Sequence, residues 1–215
     1  MKVKWLGHAS FLITSEEGTR IITDPYATGM GISYGDIKEN ADIVTVSHDH
    51  GDHNNAAAVS GNPQVVKGAG VQEAKGIQFK GIASYHDETQ GSERGPNTIF
   101  CFTVDGVSLC HLGDLGHQLS DEQAAEIGDL DILMAPVGGF FTIDAAVATD
   151  IVEKLQPRVV IPMHYSTEKC AYPIAGVDDF LKGKADVKRL DATEAEFSKS
   201  GLPSSTEIVV LKHAL

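Results

Sequence analysis

The stretch Ser47-His48-Asp49-His50-Gly51-Asp52-His53 decides how this chain is organised. Its three histidines and two aspartates directly follow an apolar run, 43–46, which has the composition of a buried strand. Side chains just past the carboxyl end of such a strand can converge on one point, and imidazole with carboxylate suits zinc and similar divalent metals. The stretch therefore predicts one half of a metal site, with the other half supplied elsewhere in the chain.

The spacing within this stretch favours two neighbouring groups of ligands. His48 and His50 are two positions apart, so in an extended segment they point to the same side. Gly51 permits a sharp change of direction before Asp52 and His53. One pair of side chains can thus bind one metal and the second pair its neighbour.

Four residues with ligand chemistry recur after other strand-like runs, namely Asp24, His86, Asp114 and His164. Residues at strand ends on one edge of a sheet can meet in one cleft. A single histidine is more often a surface group or a satisfied core residue. The recurrence at equivalent strand ends is what favours a metal site over a polar loop that happens to be rich in histidine.

The order of predicted elements indicates a mixed α/β (α+β) fold. Hairpin-like strands fill the first half, and strands alternate with helices in the second, which favours a sheet core with helices outside. Loops 26–38 and 87–97 are expected to shape a pocket. The predicted helices cover 54–59, 120–127, 142 or 144 to 155, and 178–182. The predicted strands cover 3–6, 11–14, 20–23, 43–46, 64–67, 77–85, 98–104, 107–111, 132–137, 159–163, 187–190 and 207–211.

Length and composition indicate one globular domain, residues 1–215. The hydrophobic fraction of 42% and the charged fraction of 22% are ordinary for soluble proteins. The net charge is −13, from 17 basic and 30 acidic residues, and the basic residues form no cluster. Such a field repels phosphate backbones, so we expect a small-molecule substrate and no nucleic-acid partner.

The remaining compositional features point to the cytoplasm. No apolar run approaches the roughly 18 residues of a membrane span, so no membrane partner is expected. The apolar stretch at the N-terminus is short and broken by His8, which argues against a signal peptide. Cys101, Cys110 and Cys170 lack CxxC spacing and are predicted to be buried free thiols, as suits a reducing cytosol. The sequence carries no indication of an oligomeric state.

The pattern His48-x-His50-x-Asp52-His53 resembles the HxHxDH signature of the metallo-β-lactamase superfamily. The segments WLGHASFLI (5–13), HLGDLGH (111–117) and IPMHY (161–165) narrow the resemblance to compact hydrolases that include the ascorbate-6-phosphate lactonases. The N-acyl phosphatidylethanolamine phospholipases are similar more distantly. The resemblance covers nearly the whole chain, and it implies a four-layer αβ/βα sandwich with the site at one edge of the two sheets.

The resemblance also implies two divalent ions, with Zn²⁺ as the first choice and Mn²⁺, Ni²⁺ or Fe²⁺ as other candidates. Seven side chains would hold them, three for each ion and one shared. They are His48, His50 and His86 for one ion, Asp52, His53 and His164 for the other, and Asp114 as the bridge. Asp24 would orient one of the ligands by hydrogen bonding.

Several assignments stay open at the level of sequence. His111, three residues before Asp114, competes with His86 as the third ligand of the first ion, and chain order favours His86. His8 either has a structural hydrogen-bonding role or lines the site. The candidates for lining the site or contacting substrate are His8, Arg94, Asn97, His111 and His117.

The implied reaction is metal-dependent hydrolysis of a small ester, lactone or phosphoester, with Asp52 orienting the nucleophile or relaying its proton. Two other activities occur on this scaffold: iron-dependent oxidoreductase or dioxygenase chemistry, and phosphodiesterase or nuclease chemistry. Imidazole and carboxylate also suit iron, whereas the acidic charge argues against a nuclease. A metal-binding protein without turnover would have no need of both Asp52 and Asp114.

Overall fold

Two β-sheets form the framework of the protein, which a computed structural model describes over residues 1–29 and 31–215. The predicted loop 26–38 contains Met30, which lies outside the described residues. In chain order the strands are β1 (Lys2–Gly7), β2 (Ser10–Thr14), β3 (Arg20–Thr23), β4 (Ile43–Val46), β5 (Gln64–Lys67), β6 (Gly70–Ala74), β7 (Ile77–Tyr85), β8 (Pro96–Val104), β9 (Val107–His111), β10 (Ile132–Pro136), β11 (Val159–Met163), β12 (Val187–Arg189), β13 (Glu194–Glu196) and β14 (Glu207–Val210).

The first sheet has the strand order β13-β1-β2-β3-β4-β5, and the second has the order β12-β14-β11-β10-β9-β8-β7-β6. Strands β3 and β4 pair in parallel, and so do β9, β10 and β11. Parallel pairing brings the carboxyl ends of neighbouring strands to the same edge of a sheet. Each sheet therefore presents several strand ends, with the loops that follow them, along one edge.

Alternating side chains bury both faces of the first sheet. Phe11 and Ile13 of β2 belong to a large apolar cluster that also contains Phe79 and Phe100 of the second sheet. Leu12, between them in sequence, lies in a separate cluster on the outer face. This period of two is that of a strand, and it places a shared hydrophobic core between the sheets.

The centre of the second sheet is buried on both faces, and every residue of β10 and β11 is buried. Such continuous apolar strands are typical of parallel sheets that carry helices. The α-helices of the described residues are α1 (Asp121–Ile127), α2 (Ala145–Leu155) and α3 (Val177–Leu181). Ile151 of α2 and Phe180 of α3 pack into the same core. None of the helices in the described part of the chain is long and apolar enough to cross a membrane.

The predicted fold class is confirmed, because two mixed sheets with few helices form the molecule. On the outer face of the first sheet, side chains from loop and terminal segments, among them Ala56 and Leu215, pack against the apolar cluster. The predicted short helix 54–59 is present as a 3₁₀ helix, Ala56–Ala58, in which the N–H groups of Ala58 and Val59 bond to carbonyls three residues back. Strands β6 and β13 were not predicted. The extent of a single domain over 1–215 stays a prediction.

Helix α2 begins at a side-chain cap that can be tested directly. Asp144 Oδ1 accepts hydrogen bonds from the N–H groups of Ala146 and Val147, at 3.0 and 2.9 Å. Asp144→Ala is expected to lower the free energy of unfolding by about 1 kcal/mol, because these N–H groups lose their acceptor. Urea denaturation measures the loss, and Asp144→Ser should retain most of the stability. Equal stability of the alanine variant and the wild type would contradict the prediction.

Candidate metal centre

The seven predicted ligands meet at one edge of the sandwich. Among the described residues, the donor atoms of His48, His50 and His86 lie within 4.8 Å of one another. A second group within the same limit consists of His8, Asp52, His53 and His164. Strands β4, β7 and β11 end directly before the segments that carry these residues. The edge therefore brings together side chains from distant parts of the chain.

Asp114 lies between the two groups. Its Oδ2 is 3.1 Å from His53 Nε2, 3.3 Å from His86 Nε2, 3.4 Å from His164 Nε2 and 3.9 Å from His48 Nε2. The carboxylate is 1% exposed, and its Oδ1 has no hydrogen-bond partner within the described chain. A buried carboxylate needs a compensating positive charge or a metal. The surroundings of Asp114 thus fit a carboxylate that coordinates cations on both sides.

Asp24 orients ligands of both groups. Its Oδ2 lies 2.9 Å from His53 Nδ1 and accepts from Ser47 Oγ at 2.5 Å, while its Oδ1 accepts from the N–H of Ser47 at 2.8 Å. Since the Ser47 hydroxyl donates to Asp24, it accepts from His48 Nδ1, 2.9 Å away. Protons on the Nδ1 atoms of His48 and His53 leave both Nε2 lone pairs free, as in carboxylate–histidine–metal arrangements.

This tautomer assignment makes the contact between His53 and Asp114 unfavourable without a cation. His53 Nε2 lies 3.1 Å from Asp114 Oδ2 but has no hydrogen-bond geometry toward it. In the neutral ring two lone pairs would face each other in a buried space. A divalent metal or a proton resolves this conflict. The donor set, imidazole with carboxylate, is the one that zinc and similar ions prefer.

Burial keeps three histidines of the site, His8, His48 and His86, neutral. Burial lowers the pKa of His48 to about 3 and that of His8 to about 4, and it also lowers the pKa of His86. Neutral imidazole is the form that coordinates metals. His53 differs: burial acts against its protonation, but the charges of Asp114 and Asp24 raise its pKa well above the usual range.

His8 lies inside the second group, at a tight turn after β1 where its φ is 53°. Its Nε2 is 3.3 Å from Asp52 Oδ2, and its ring centroid is 4.1 Å from that of His164. Tyr172, which no sequence pattern singled out, places its hydroxyl 3.4 Å from the same oxygen of Asp52. Although burial raises the pKa of Asp52, the His8 hydrogen bond and the nearby His53 charge keep it below its usual value.

His111, the rival of His86, lies outside both groups. Its Nδ1 accepts from the N–H of Gly113 at 3.1 Å, so its Nε2 donates to the carbonyl of Ala9 at 2.8 Å. Both ring nitrogens are therefore engaged in packing the loop after β9. His86, in contrast, directs its Nε2 at Asp114, which favours His86 over His111 as a ligand.

Asn97 and His117 are likewise occupied by structural hydrogen bonds. Asn97 is 2% exposed; its Oδ1 accepts from the N–H of Asp114 at 3.0 Å, and its Nδ2 donates to Ser84 Oγ at 2.8 Å. His117 Nδ1 donates to the carbonyl of Gln118, and its Nε2 accepts from the N–H of Tyr85. Asn97 therefore holds the central carboxylate in place, whereas His117 lies away from the ligand groups.

Two glycines let the loop after β9 approach the ligand-bearing segments. A Cβ on Gly113 would lie 2.4 Å from Asn97 Oδ1 and 2.6 Å from Ser47 Cβ. A Cβ on Gly116 would lie 2.3 Å from the carbonyl carbon of His86. Only glycine fits at either position. The two glycines of the HLGDLGH segment are therefore required by sterics, just as its aspartate is required by the chemistry of the site.

The loop after His86 is organised by one carboxylate. Asp87 Oδ1 accepts from Thr89 N, Thr89 Oγ1 and Gly91 N at 2.7–3.0 Å, and its Oδ2 accepts from the N–H groups of Glu93 and Arg94 at 3.0 and 2.8 Å. These five hydrogen bonds fix the predicted pocket loop, 87–97, directly after the candidate ligand His86. It also sets the position of Arg94, which lines a cavity beside His48 and His50 of the first ligand group.

Comparison with known proteins agrees with this geometry. The model of the β-lactamase superfamily domain matches residues 2–164. The chain belongs to the metallo-β-lactamase superfamily. Within the superfamily, it is 34% identical over 196 residues to a UPF0173 metal-dependent hydrolase of Pelotomaculum thermopropionicum, which covers 78% of this chain and 85% of that protein.

Two further relatives share the superfamily. A UPF0173 metal-dependent hydrolase of Thermococcus onnurineus is 31% identical over 193 residues, covering 78% of this chain and 85% of that protein. The crystal structure of a candidate Zn-dependent hydrolase from Thermotoga maritima has a TM-score of 0.82 at 36% identity, covering 98% of this chain and 97% of that chain. The resemblance predicted from the HxHxDH pattern is confirmed. The narrower likeness to ascorbate-6-phosphate lactonases stays a prediction.

Replacing Asp24 should weaken metal binding while leaving the fold intact. Asp24→Asn removes the negative charge and one acceptor from the network that holds His48 and His53, so we expect Zn²⁺ affinity to fall by about 10- to 100-fold. Competition with a chromogenic chelator measures this. Asp42→Asn is the matched control, because Asp42 accepts a backbone N–H at the opposite end of β4. Unchanged affinity in a folded Asp24→Asn variant would contradict the role of Asp24.

Replacing Asp87 should loosen the pocket loop in a pH-dependent way. Burial raises the pKa of Asp87, but the N–H groups of the loop outweigh it and hold the pKa below its usual value. The stability that the ionised group contributes is therefore present above about pH 4, the unfolded pKa, and is lost as the pH falls further. Asp87→Asn should lower Tm at pH 7, and the difference from wild type should narrow in acid. Asp129→Asn, at an exposed carboxylate, is the control. If the difference in Tm between wild type and Asp87→Asn did not change with pH, this explanation would be refuted.

Proposed function

We propose that this metal-dependent hydrolase uses a dinuclear centre, with Zn²⁺ as the first choice, to hydrolyse a small ester, lactone or phosphoester. The observation that carries the proposal is the position of Asp114 between the two ligand groups. A single bound ion would leave one group of imidazoles without a partner. The carboxylate at the centre offers oxygen atoms to both sides.

The ligands divide between the two ions as follows. His48, His50 and His86 would hold the first ion, and their donor atoms form one compact group. Asp52, His53 and His164 would hold the second ion, and Asp114 would contact both. When bound, two divalent ions lower the pKa of a shared water and polarise the carbonyl or phosphoryl oxygen that is attacked.

Asp52 is the residue that we assign to the proton of the attacking water. Its Oδ2 is held by Tyr172 and His8 at 3.4 and 3.3 Å, so the carboxylate has a defined orientation within the second group. Its lowered pKa keeps it ionised at neutral pH, as a proton acceptor or an orienting group requires. Proximity of the acceptor to the water and of the water to the substrate then supplies much of the catalysis.

A small-molecule substrate remains part of the proposal. The net charge of −13 opposes binding of a nucleic-acid backbone. The cavity beside His48 and His50 has a volume of about 480 Å³, within the range of small-molecule sites. Both features favour a small hydrolase substrate over an RNA or DNA strand.

Metal content and turnover test the proposal together. Protein loaded with Zn²⁺ should contain about two ions per chain by elemental analysis, as two-metal hydrolases do. His48→Ala should lose metal, and its hydrolysis of a panel of esters, lactones and phosphodiesters should fall by about 100-fold or more. The matched control is His117→Ala, which removes a histidine that lies outside both ligand groups.

Three outcomes would overturn the proposal. The first is a single ion per chain at saturating Zn²⁺, which would remove the dinuclear centre. The second is unchanged metal content in His48→Ala. The third is iron in protein purified without added metal, together with oxygen consumption and no hydrolysis; that result would favour the oxidoreductase activity known on the same scaffold.

A further inference from the structure

Arg94 is a cationic residue that lies beside the metal-ligand groups of an acidic protein. It lines a cavity of about 480 Å³ that is also lined by His48 and His50 of the first ligand group. Its backbone N–H is fixed by Asp87 at 2.8 Å, so the residue is tied to the segment that carries His86. Arg94 is therefore held in a defined place beside the metal centre.

The guanidinium is also fixed from the other side. Its central carbon lies 5.8 Å from the ring centroid of Phe141, in the segment between β10 and α2. A ring face holds a guanidinium by cation–π attraction but uses none of its N–H donors. The Phe141 ring packs in turn against Tyr172, at 5.4 Å between centroids, and the Tyr172 hydroxyl lies 3.4 Å from Asp52. A chain of two aromatic rings thus connects Arg94 with the second ligand group.

No protein anion neutralises Arg94. Within residues 1–29 and 31–215, no carboxylate lies within ion-pairing distance of its guanidinium, whereas Arg158 and Arg189 pair with Asp131 and Asp178. Lys67, the other cation that lines the cavity, is paired with Asp49. Of the two cationic side chains that line the cavity, Arg94 is therefore the one without an anionic partner among the described residues.

We infer that Arg94 is an anion-binding residue of the substrate pocket, and that the substrate carries a carboxylate or phosphate group apart from the bond that is broken. This inference rests on the proposed hydrolase function. A half-buried guanidinium with free donors gains from a bound anion, and its planar fork matches the oxygens of carboxylate and phosphate. The anionic group would lie at Arg94, with the bond to be broken toward the two ligand groups.

Matched substrates test the inference through the KM and kcat of each variant. The set contains a neutral aryl ester and two analogues that differ only in a carboxylate or a phosphate at the far end of the acyl chain. Arg94→Gln should raise KM for the anionic esters by about tenfold or more, because these substrates lose a charge-assisted hydrogen bond. KM for the neutral ester should change by no more than about twofold, because it makes no such bond. Arg94→Lys keeps the positive charge but not the planar guanidinium, so its KM for the anionic esters should lie between those of the wild type and Arg94→Gln.

The control variant is Arg189→Gln, which removes an equal charge at an exposed ion pair in β12. It should leave the preference between anionic and neutral esters unchanged. Metal content and Tm of each variant exclude loss of the centre or of the fold. If Arg94→Gln keeps its preference for the anionic esters, the inference is wrong while the hydrolase function stands.

A binding measurement keeps the two proposals distinguishable. Calorimetric titration of Zn²⁺-loaded wild type and Arg94→Gln with benzoate and with phenyl phosphate compares the same metal centre with and without the guanidinium. A loss of about tenfold or more in affinity for one of them supports the anion site and shows which anion it prefers, even if no ester is hydrolysed. Equal affinities in the two proteins for both compounds overturn it.

Discussion

A buried carboxylate surrounded by imidazoles is the constraint on which the rest of the structure depends. Asp114 is almost fully excluded from water, and the Nε2 atoms of four histidines lie within 3.9 Å of its Oδ2. An isolated carboxylate in such a place would cost several kcal/mol or more. The segments after β4, β7 and β11 must therefore deliver their histidines to this one point. The shared apolar core between the sheets holds those strand ends together.

Much of this arrangement could be predicted from sequence because its signals are local. Apolar runs of strand length, each followed by a ligand-type residue, gave the fold class and the convergence of His48, His86, Asp114 and His164 on one edge. The HxHxDH pattern gave the superfamily, since few other structures need those residues at that spacing. The local signals did not show how the sheets pack, although it is this packing that brings β4 of the first sheet and β7 and β11 of the second to one edge.

The misses have a common physical cause, which is that hydrogen bonds between distant segments leave no local pattern. His111 was a candidate ligand, but its ring nitrogens are engaged by Ala9, through a tertiary contact, and by Gly113. Asn97 lines the cavity beside His48, and its hydrogen bonds to Ser84 and Asp114 could not be predicted from sequence. The loop at 87–97 was predicted as a loop, but composition did not show that five donors converge on Asp87 and fix its conformation. The short helix predicted at 54–59 is a 3₁₀ helix of three residues, 56–58, because the alanine-rich segment is too short for a stable α-helix.

The contacts of Asp24 connect the two halves of the centre through one carboxylate. Through its bond to His53 it orients a donor of one group, and through Ser47 it orients His48 of the other. A change at this one carboxylate would therefore disturb a donor of each group at the same time. The two metal positions would be impaired together by a single substitution, so that under mutation the centre would behave as one unit.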